Sequence, residues 1–387
     1  MKLKNIFLFF FLFLAAVSNG QTFSIKGRIT DASTGAPLSK ATVYINNTTK
    51  GTIADENGFF SLSGLPLPSG AYELIISFVG YNALLTPIKI SGKNYEGIFK
   101  LQLKETVLRD LLIVSAETKK RYLELFKKNL LGFTYDAEKC VIKNSNAVQF
   151  EKGKSNDEIV AYADEELEID NPVLGYTVYF EIKEMHFNTV TTDCVFFGYT
   201  RYVDRMDQKN INRKWVRNRK LVYMGSLQHF FRSLANKQLA KNGFSIYEVD
   251  AGVSSLQQQR GTMKNDGMST QLSTAGSIGT ADVKISKEEN ILQAVGNEEY
   301  KVYELLIKNQ LLIKYRSNSD LKAQLSRVMY VPGQPELGTI SGLRIKKSPV
   351  YIDSRGVLLT PMNLFVDGIW TNERLANMLP EDYEPGN

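Results

Sequence analysis

The sequence predicts an all-β N-terminal sandwich followed by a larger α+β domain of mainly antiparallel strands with one or two helices. Three observations carry this. Between residues 22 and about 104, short alternating apolar runs are separated by Gly, Pro, Asn and Asp. From residue 133 onward alternation returns, clearest in ELEIDNPVLGYTVYFEI. Two stretches, 117–131 and 212–241, instead carry apolar residues at helical spacing.

The first twenty residues stand apart from the fold. Lys2 and Lys4 precede the unbroken apolar run Ile6–Val17, and Ser18-Asn19-Gly20 offers small residues for cleavage before Gln21. Twelve apolar residues span roughly 18 Å as a helix, short of a hydrocarbon core of about 30 Å. Residues 1–20 are therefore read as a cleaved signal peptide, and the chain as exported to the periplasm or outer-membrane face. No Cys follows the run to take a lipid, and no later segment is apolar for long enough to span a membrane. Removing Lys2 and Lys4 leaves 45 basic against 41 acidic residues, a net charge of +4. That balance is too mild for a general nucleic-acid binder. Cys140 and Cys194, in an exported chain, form either a disulfide or two buried thiols.

Within the first module, Tyr72, Leu74, Ile76 and Phe78 share one face of an extended run, with Glu73 and Ser77 opposite. Val43 with Ile45, and Phe99 with Leu101 and Leu103, alternate in the same way. Turn chemistry falls at Asp31–Pro37, Glu56-Asn57-Gly58, Pro66–Gly70 and Gly80. The stretch GTIADENGFFSLSGLP invites comparison with a calcium loop. If Gly58 took the sixth position, however, Ile53 would be the first ligand and Gly64 would replace the bidentate Glu. Asn57-Gly58 is read instead as a hairpin turn, after which Phe60 and Leu62 run inward.

GRITDASTGAPLSKATVYI, KGTIADENGFFSL and GAYELIISFVGY together resemble a carboxypeptidase-like regulatory domain, a transthyretin-like seven-stranded sandwich. The resemblance covers most of residues 21–104. It implies a turn and strand start at Asp55–Phe60, and a strand closed by Gly80-Tyr81. The same module commonly begins TonB-dependent outer-membrane receptors, so it implies a binding or scaffolding role rather than peptidase chemistry.

Residues 105–132 are expected to form a linker and short helix. KETVLRDLLIVSA loosely resembles the segment after this module in TonB-dependent receptors, but the roughly 270 residues beyond it cannot build a plug and a barrel of about 22 strands. Glu117–Leu131 places Tyr122, Phe126 and Leu130 on one helical face, and Gly132 would stop it. Residues 133–387 are expected to form the α+β domain. In its helix, about Asn212–Lys241, Val216, Tyr223, Leu227, Phe230 and Leu234 fall in one arc. Gly225 inside it costs about 1 kcal/mol relative to Ala, which predicts a close neighbour there. Residues 251–280 read as a long polar loop. Strands are expected again at 300–315 and 354–365, with a hairpin turn at Asp353–Gly356. DNPVLGYTVYFEI, RKWVRNRKLVYMGSLQHFFRSL and GIWTNERLANMLPEDYEP resemble recurring blocks of an uncharacterised family of exported Gram-negative proteins with the same N-terminal module. That family brings no established activity.

The residue inventory yields no catalytic, metal or cofactor-binding set. His186 and His229 are the two histidines, and neither has a zincin partner at turn spacing. Ser226 follows Gly225, but Gln228 breaks a nucleophile elbow. His229 is expected to border the apolar face of its helix. Asp164, Glu165, Glu166, Glu168 and Asp170 read as a solvated acidic edge.

The unusual feature is basic. From Gln208 to Tyr247 no acid occurs, while Lys209, Arg213, Lys214, Arg217, Arg219, Lys220, Arg232, Lys237 and Lys241 do. Either Arg213, Lys214, Trp215, Arg217 and Arg219 meet an anionic partner, or these cations pair with the acidic 163–170 segment. Under the first reading the partner is lipopolysaccharide phosphate, an anionic lipid surface or an acidic glycan. The expected function is a non-enzymatic exported binding or scaffolding protein engaging an envelope component, glycan or protein partner. The alternatives are an accessory of a TonB-dependent receptor system and a hydrolase of unrecognised type.

Overall fold

Alternation becomes two small sheets in the first part of the chain. The computed structural model describes residues 23–90, 94–105, 115–191, 193–206, 211–249, 283–285, 287–295, 301–308, 310–315 and 340–386. The signal peptide expected at 1–20, most of the apolar segment 104–116, Lys209 and the polar loop expected at 251–280 lie outside these residues. The chain divides into one unit of Met1–Tyr44 and Lys50–Lys104 and another of Ile45–Thr49 and Glu105–Asn387. No helix among the described residues is long and apolar enough to cross a membrane.

The first unit holds β1 (Phe23–Asp31), β2 (Thr42–Ile45), β3 (Gly51–Ile53), β4 (Phe59–Leu65), β5 (Gly70–Ser77), β6 (Leu84–Ile90) and β7 (Tyr95–Leu101). One sheet runs β4-β1-β7 and the other β3-β2-β5-β6. β1 pairs antiparallel with β4 and parallel with β7. Ile25, Ile29, Phe60, Leu62, Leu74, Ile76, Phe99 and Leu101 are buried, as the period of two requires. Gly27 is a packing requirement: a Cβ there would lie 2.5 Å from the Gly97 carbonyl and 2.6 Å from the Phe99 ring. Its absence lets Phe60 and Phe99 meet at 5.5 Å.

The Asp55–Gly58 turn corrects one expectation. It is not a hairpin, because β3 and β4 belong to different sheets. Asp55 Oδ1 accepts the Asn57 and Phe59 N–H groups at 2.9 and 2.8 Å, and Gly58 takes φ +77°. Nearby, Asp31 accepts the Ser33 and Thr34 N–H groups and the Tyr81 hydroxyl, the last at 2.7 Å. Those hydrogen bonds, led by Thr34 and Tyr81, hold its carboxyl down at about 2.

The second unit is built around two cores. Its helices are α1 (Ala116–Leu131), α2 (Tyr135–Glu138), α3 (Arg213–Tyr223), α4 (Leu227–Ala235) and α5 (Glu288–Ile291). Its first six strands are β8 (Val141–Ile142), β9 (Val148–Lys152), β10 (Glu158–Ala163), β11 (Leu167–Asn171), β12 (Tyr176–Asn188) and β13 (Cys194–Asp204). They form an antiparallel sheet ordered β8-β11-β12-β10-β9, with β13 also on β12. Phe126, Leu130 and Leu131 of α1 pack on Phe150, Val178, Phe180 and Phe187 of this sheet, so α1 belongs to the core rather than to a linker. Ser115 caps α1 and Gly132 ends it, at φ 111°.

The remaining strands are β14 (Phe244–Val249), β15 (Val283–Ile285), β16 (Leu292–Ala294), β17 (Val302–Leu305), β18 (Gln310–Tyr315), β19 (Ile340–Ile345), β20 (Tyr351–Asp353) and β21 (Leu364–Gly368). They form a five-stranded sheet, β15-β14-β18-β19-β21, and a three-stranded one, β16-β17-β20. Phe230, Phe231 and Leu234 of α4 bury against Phe244, Leu311, Ile313, Leu343 and Trp370. The helix expected over 212–241 is therefore two helices, one on each core. Gly225 separates them at φ +84°, and a Cβ there would lie 2.7 Å from the Tyr315 ring, the close neighbour its presence predicts.

The C-terminal block lies across this junction. Leu375 and Ala376 N–H donate to the carbonyls of Leu130 and Leu131, Asn171 Nδ2 donates to Ala376, and Arg232 donates to the carbonyls of Tyr383 and Glu381. The block resembling a family repeat is thus a strap binding α1, the Asn171 turn and α4.

Candidate functional site

The site is built on α3, whose two faces have different fates. Asn212 caps the helix, its Oδ1 accepting the Lys214 and Trp215 N–H groups at 3.0 and 3.3 Å. Arg219 then points inward and is 3% exposed. Its guanidinium donates to both Asp204 oxygens at 2.8 and 2.7 Å, to the Leu174 carbonyl at 2.7 Å and to the Gly175 carbonyl at 3.2 Å. It also lies 3.8 Å over the Tyr176 ring. Asn218 donates to the Val173 carbonyl, and the Trp215 indole to the Pro172 carbonyl. The Trp215 ring occupies the space over Gly175 that a Cβ would fill.

This corrects two of the five expected anionic-partner contacts. Arg219 is a buried clamp on the 171–175 turn, and half-buried Trp215 is packed on that same turn. The other three, Arg213, Lys214 and Arg217, are brought together on the solvent face. None forms an ion pair among the described residues. Val216, expected on the apolar arc, stands among them 37% exposed, and Ile211 just before the cap is 63% exposed. Lys220 is exposed beside them and donates to the Gly386 carbonyl at 3.4 Å.

The acidic segment does not neutralise this face. Glu168 pairs with Lys143 at 2.6 Å, Glu166 with Arg201 at 3.5 Å and Asp170 with Arg205 at 2.6 Å. Glu165 accepts from Asn144. Those cations come from β13, its C-terminal extension and the segment after β8, so these four acids are engaged by residues outside α3.

The histidines are structural neighbours. His229 is 5% exposed among Tyr223, Phe244 and Tyr315, and its Nδ1 accepts the Gly225 N–H at 3.1 Å. Burial, with Arg232 nearby, lowers it to about 4, so it is neutral at physiological pH. Glu373 accepts the Leu227 N–H at the start of α4, and burial pushes its carboxyl up to about 8. His186 faces Glu158 at 3.3 Å and Glu184 at 3.6 Å. Among the described residues no group of three or more His, Cys, Asp or Glu is arranged to hold a metal ion. Cys140 and Cys194 are free thiols, Cys140 buried and Cys194 half-buried. Burial pushes them up to about 12 and about 11.

Residues 25–113 match the family model of the CarboxypepD_reg-like domain. No curated protein matches the chain. Among solved structures, the 5-hydroxyisourate hydrolase of Klebsiella pneumoniae is similar at 20% identity and TM-score 0.19, over 21% of this chain and 91% of that one. The 3-chlorocatechol 1,2-dioxygenase of Rhodococcus opacus 1CP is similar at 15% identity and TM-score 0.17, over 21% of this chain and 60% of that one. The pilus 2b backbone protein of group B streptococcus follows at 17% identity and TM-score 0.18, over 21% of this chain and 40% of that one. The N-terminal β-sandwich is a CarboxypepD_reg-like domain.

Proposed function

We propose that this chain is an exported, non-enzymatic binding protein of the periplasm or outer-membrane face, engaging an anionic envelope component through Arg213, Lys214 and Arg217. The observation that carries the reading is one helix with its inner face clamped by Arg219 and its outer face bearing three cations that, among the described residues, pair with no acid. A pre-positioned patch loses less freedom on binding than a floppy one. Cations beside an anionic surface contribute about 1 kcal/mol each, so three support roughly hundredfold enrichment. Binding of that size is weak and strongly salt-dependent.

Co-sedimentation with phosphatidylglycerol vesicles, phosphatidylcholine vesicles and lipopolysaccharide tests it. The full chain should bind the anionic partners at low salt and release them as salt rises. Arg213→Glu with Arg217→Glu should abolish this at unchanged thermal stability. Equal binding by the charge-reversed and original proteins overturns the reading. The CarboxypepD_reg-like domain favours a second reading, an accessory of a TonB-dependent uptake system, which recovery of such a receptor by crosslinking in cells would support.

A further inference from the structure

The outer face of α3 carries more than charge. Arg213, Val216, Arg217 and Lys220 stand at positions i, i+3, i+4 and i+7, so they form one stripe, with Lys214 beside it. All five are exposed. Ile211 comes just before the Asn212 cap. Ile211 and Val216 therefore occupy the two positions that in many helices pack together as a hydrophobic staple. A staple hides apolar surface, yet 63% of Ile211 and 37% of Val216 remain in water here. Folding accounts for neither this exposure nor the charges, because Arg213 and Lys214 sit in the first turn, where a cation opposes the helix dipole.

Two aliphatic side chains among cations narrow the choice of partner. A phosphate ion or a soluble acidic glycan meets the cations but stays hydrated, and it offers the aliphatics nothing. An exposed helix face is also convex, without the concave walls that enclose a small ligand. An anionic bilayer answers both kinds of group. Its headgroup phosphates take the guanidinium and ammonium heads, and the acyl boundary beneath them takes the apolar side chains. The long Arg and Lys stems bridge the two depths. The inner face is already fixed, through Arg219 on Asp204 and the Leu174 carbonyl and through Asn218 on the Val173 carbonyl. The helix can therefore lie flat on a surface without unfolding or leaving its core.

We propose that α3 lies in the plane of an anionic lipid bilayer, with Ile211 and Val216 entering the acyl boundary between headgroups held by Arg213, Lys214 and Arg217. This rests on the reading of α3 as the anion-binding face, and it adds which envelope component that face meets and that the attachment is partly apolar.

Flotation with phosphatidylglycerol and phosphatidylcholine vesicles, and equilibrium binding to a soluble polyuronate, test the proposal on the exported chain from Gln21 onward. Phosphatidylglycerol vesicles should bind more tightly than either of the others. Ile211→Ser with Val216→Ser should weaken that binding about tenfold and leave polyuronate binding unchanged, which also shows that the face is still folded. Ile211→Trp, which keeps an apolar side chain, should bind the vesicles at least as well as the original. Its added emission should shift to the blue and be quenched by lipid brominated on the acyl chain. The proposal is overturned if the double serine variant binds these vesicles as the original does, if the Ile211→Trp emission stays unshifted on bound protein, or if the polyuronate binds as tightly as the vesicles. If Arg213→Glu with Arg217→Glu still abolishes binding in those cases, the anion-binding reading stands and only insertion falls. Unchanged vesicle binding by the charge-reversed protein removes both.

Discussion

Arg217 and Arg219 stand two residues apart on one helix, in one stretch without acids, yet they share almost nothing. Arg219 is buried, hydrogen-bonded to Asp204 and two carbonyls, and stacked on Tyr176. Arg217 is exposed and has no partner among the described residues. Two residues turn an α-helix through about 200°, which is enough to carry one guanidinium into the protein and leave the other in water. A basic run is therefore two populations, one holding the fold and one facing solvent. The same division holds on α4, where Arg232 is tied to the C-terminal strap while Lys237, just past the helix, is exposed.

The sharpest way to break this comparison is Arg219→Ala. It leaves the Leu174 carbonyl without its donor, the Gly175 carbonyl with only the Arg205 N–H, Asp204 without its cation and a gap over Tyr176. Asp204 keeps 31% of its side chain in water, so the cost comes from the unmatched buried carbonyl and the lost packing, about 1–3 kcal/mol. Arg217→Ala should stay within about 0.5 kcal/mol of the original. Urea unfolding measures both, and equal midpoints for the two variants would remove the distinction. Arg219→Lys should recover only part of the loss, because an ammonium cannot reproduce the fork.

The next effect lies at the α3–α4 junction and depends on pH. His229 is held at about 4, below its ordinary value of 6.5, so its contribution is full above pH 6.5 and is lost as pH falls toward 4. That loss is on the order of 3 kcal/mol. Glu373 has the opposite sign. Raised from 4.5 to about 8, it makes the folded state bind a proton the unfolded chain has released, so stability falls as pH rises from 4.5 to 8. Between pH 4.5 and 6.5 the two slopes oppose each other. Thermal melts across this range should show Glu373→Gln removing the decline above pH 6.5, and His229→Gln removing the decline toward pH 4. If neither variant changes the profile, the junction does not control it.

How much of this was legible depends on how far away the deciding residue lies. Alternation alone places Phe60, Leu62, Leu74 and Ile76 inside the sandwich, because a strand's two faces are set by neighbours in sequence. Pairing is not local, so the Asp55–Gly58 turn was readable as a turn while its crossing between sheets was not. Gly225 signalled a close contact, but the apolar arc runs on past it, and the break depends on Tyr315, Trp370 and Glu373, far along the chain. The helical arc also put Val216 inside. The partners that pull Arg219 inward, Asp204 and the 171–175 turn, leave Val216 facing water.

The smallest expected effect is on stability, and it carries the most functional weight. Arg213→Glu with Arg217→Glu adds two acids to the outer face of α3, where among the described residues no cation is paired to an acid. The new carboxylate at position 213 would also sit in the first helical turn, where a negative charge is mildly favourable. The melting temperature should therefore shift by no more than about 2 °C, the scale of a few tenths of a kcal/mol in a chain of this size. A larger drop would mean that these cations hold the fold as Arg219 does, and would move them from the solvent-facing population to the structural one. An unchanged melting temperature together with lost vesicle binding separates the two faces of α3 by experiment, since the clamp would be intact while the surface it presents had changed sign.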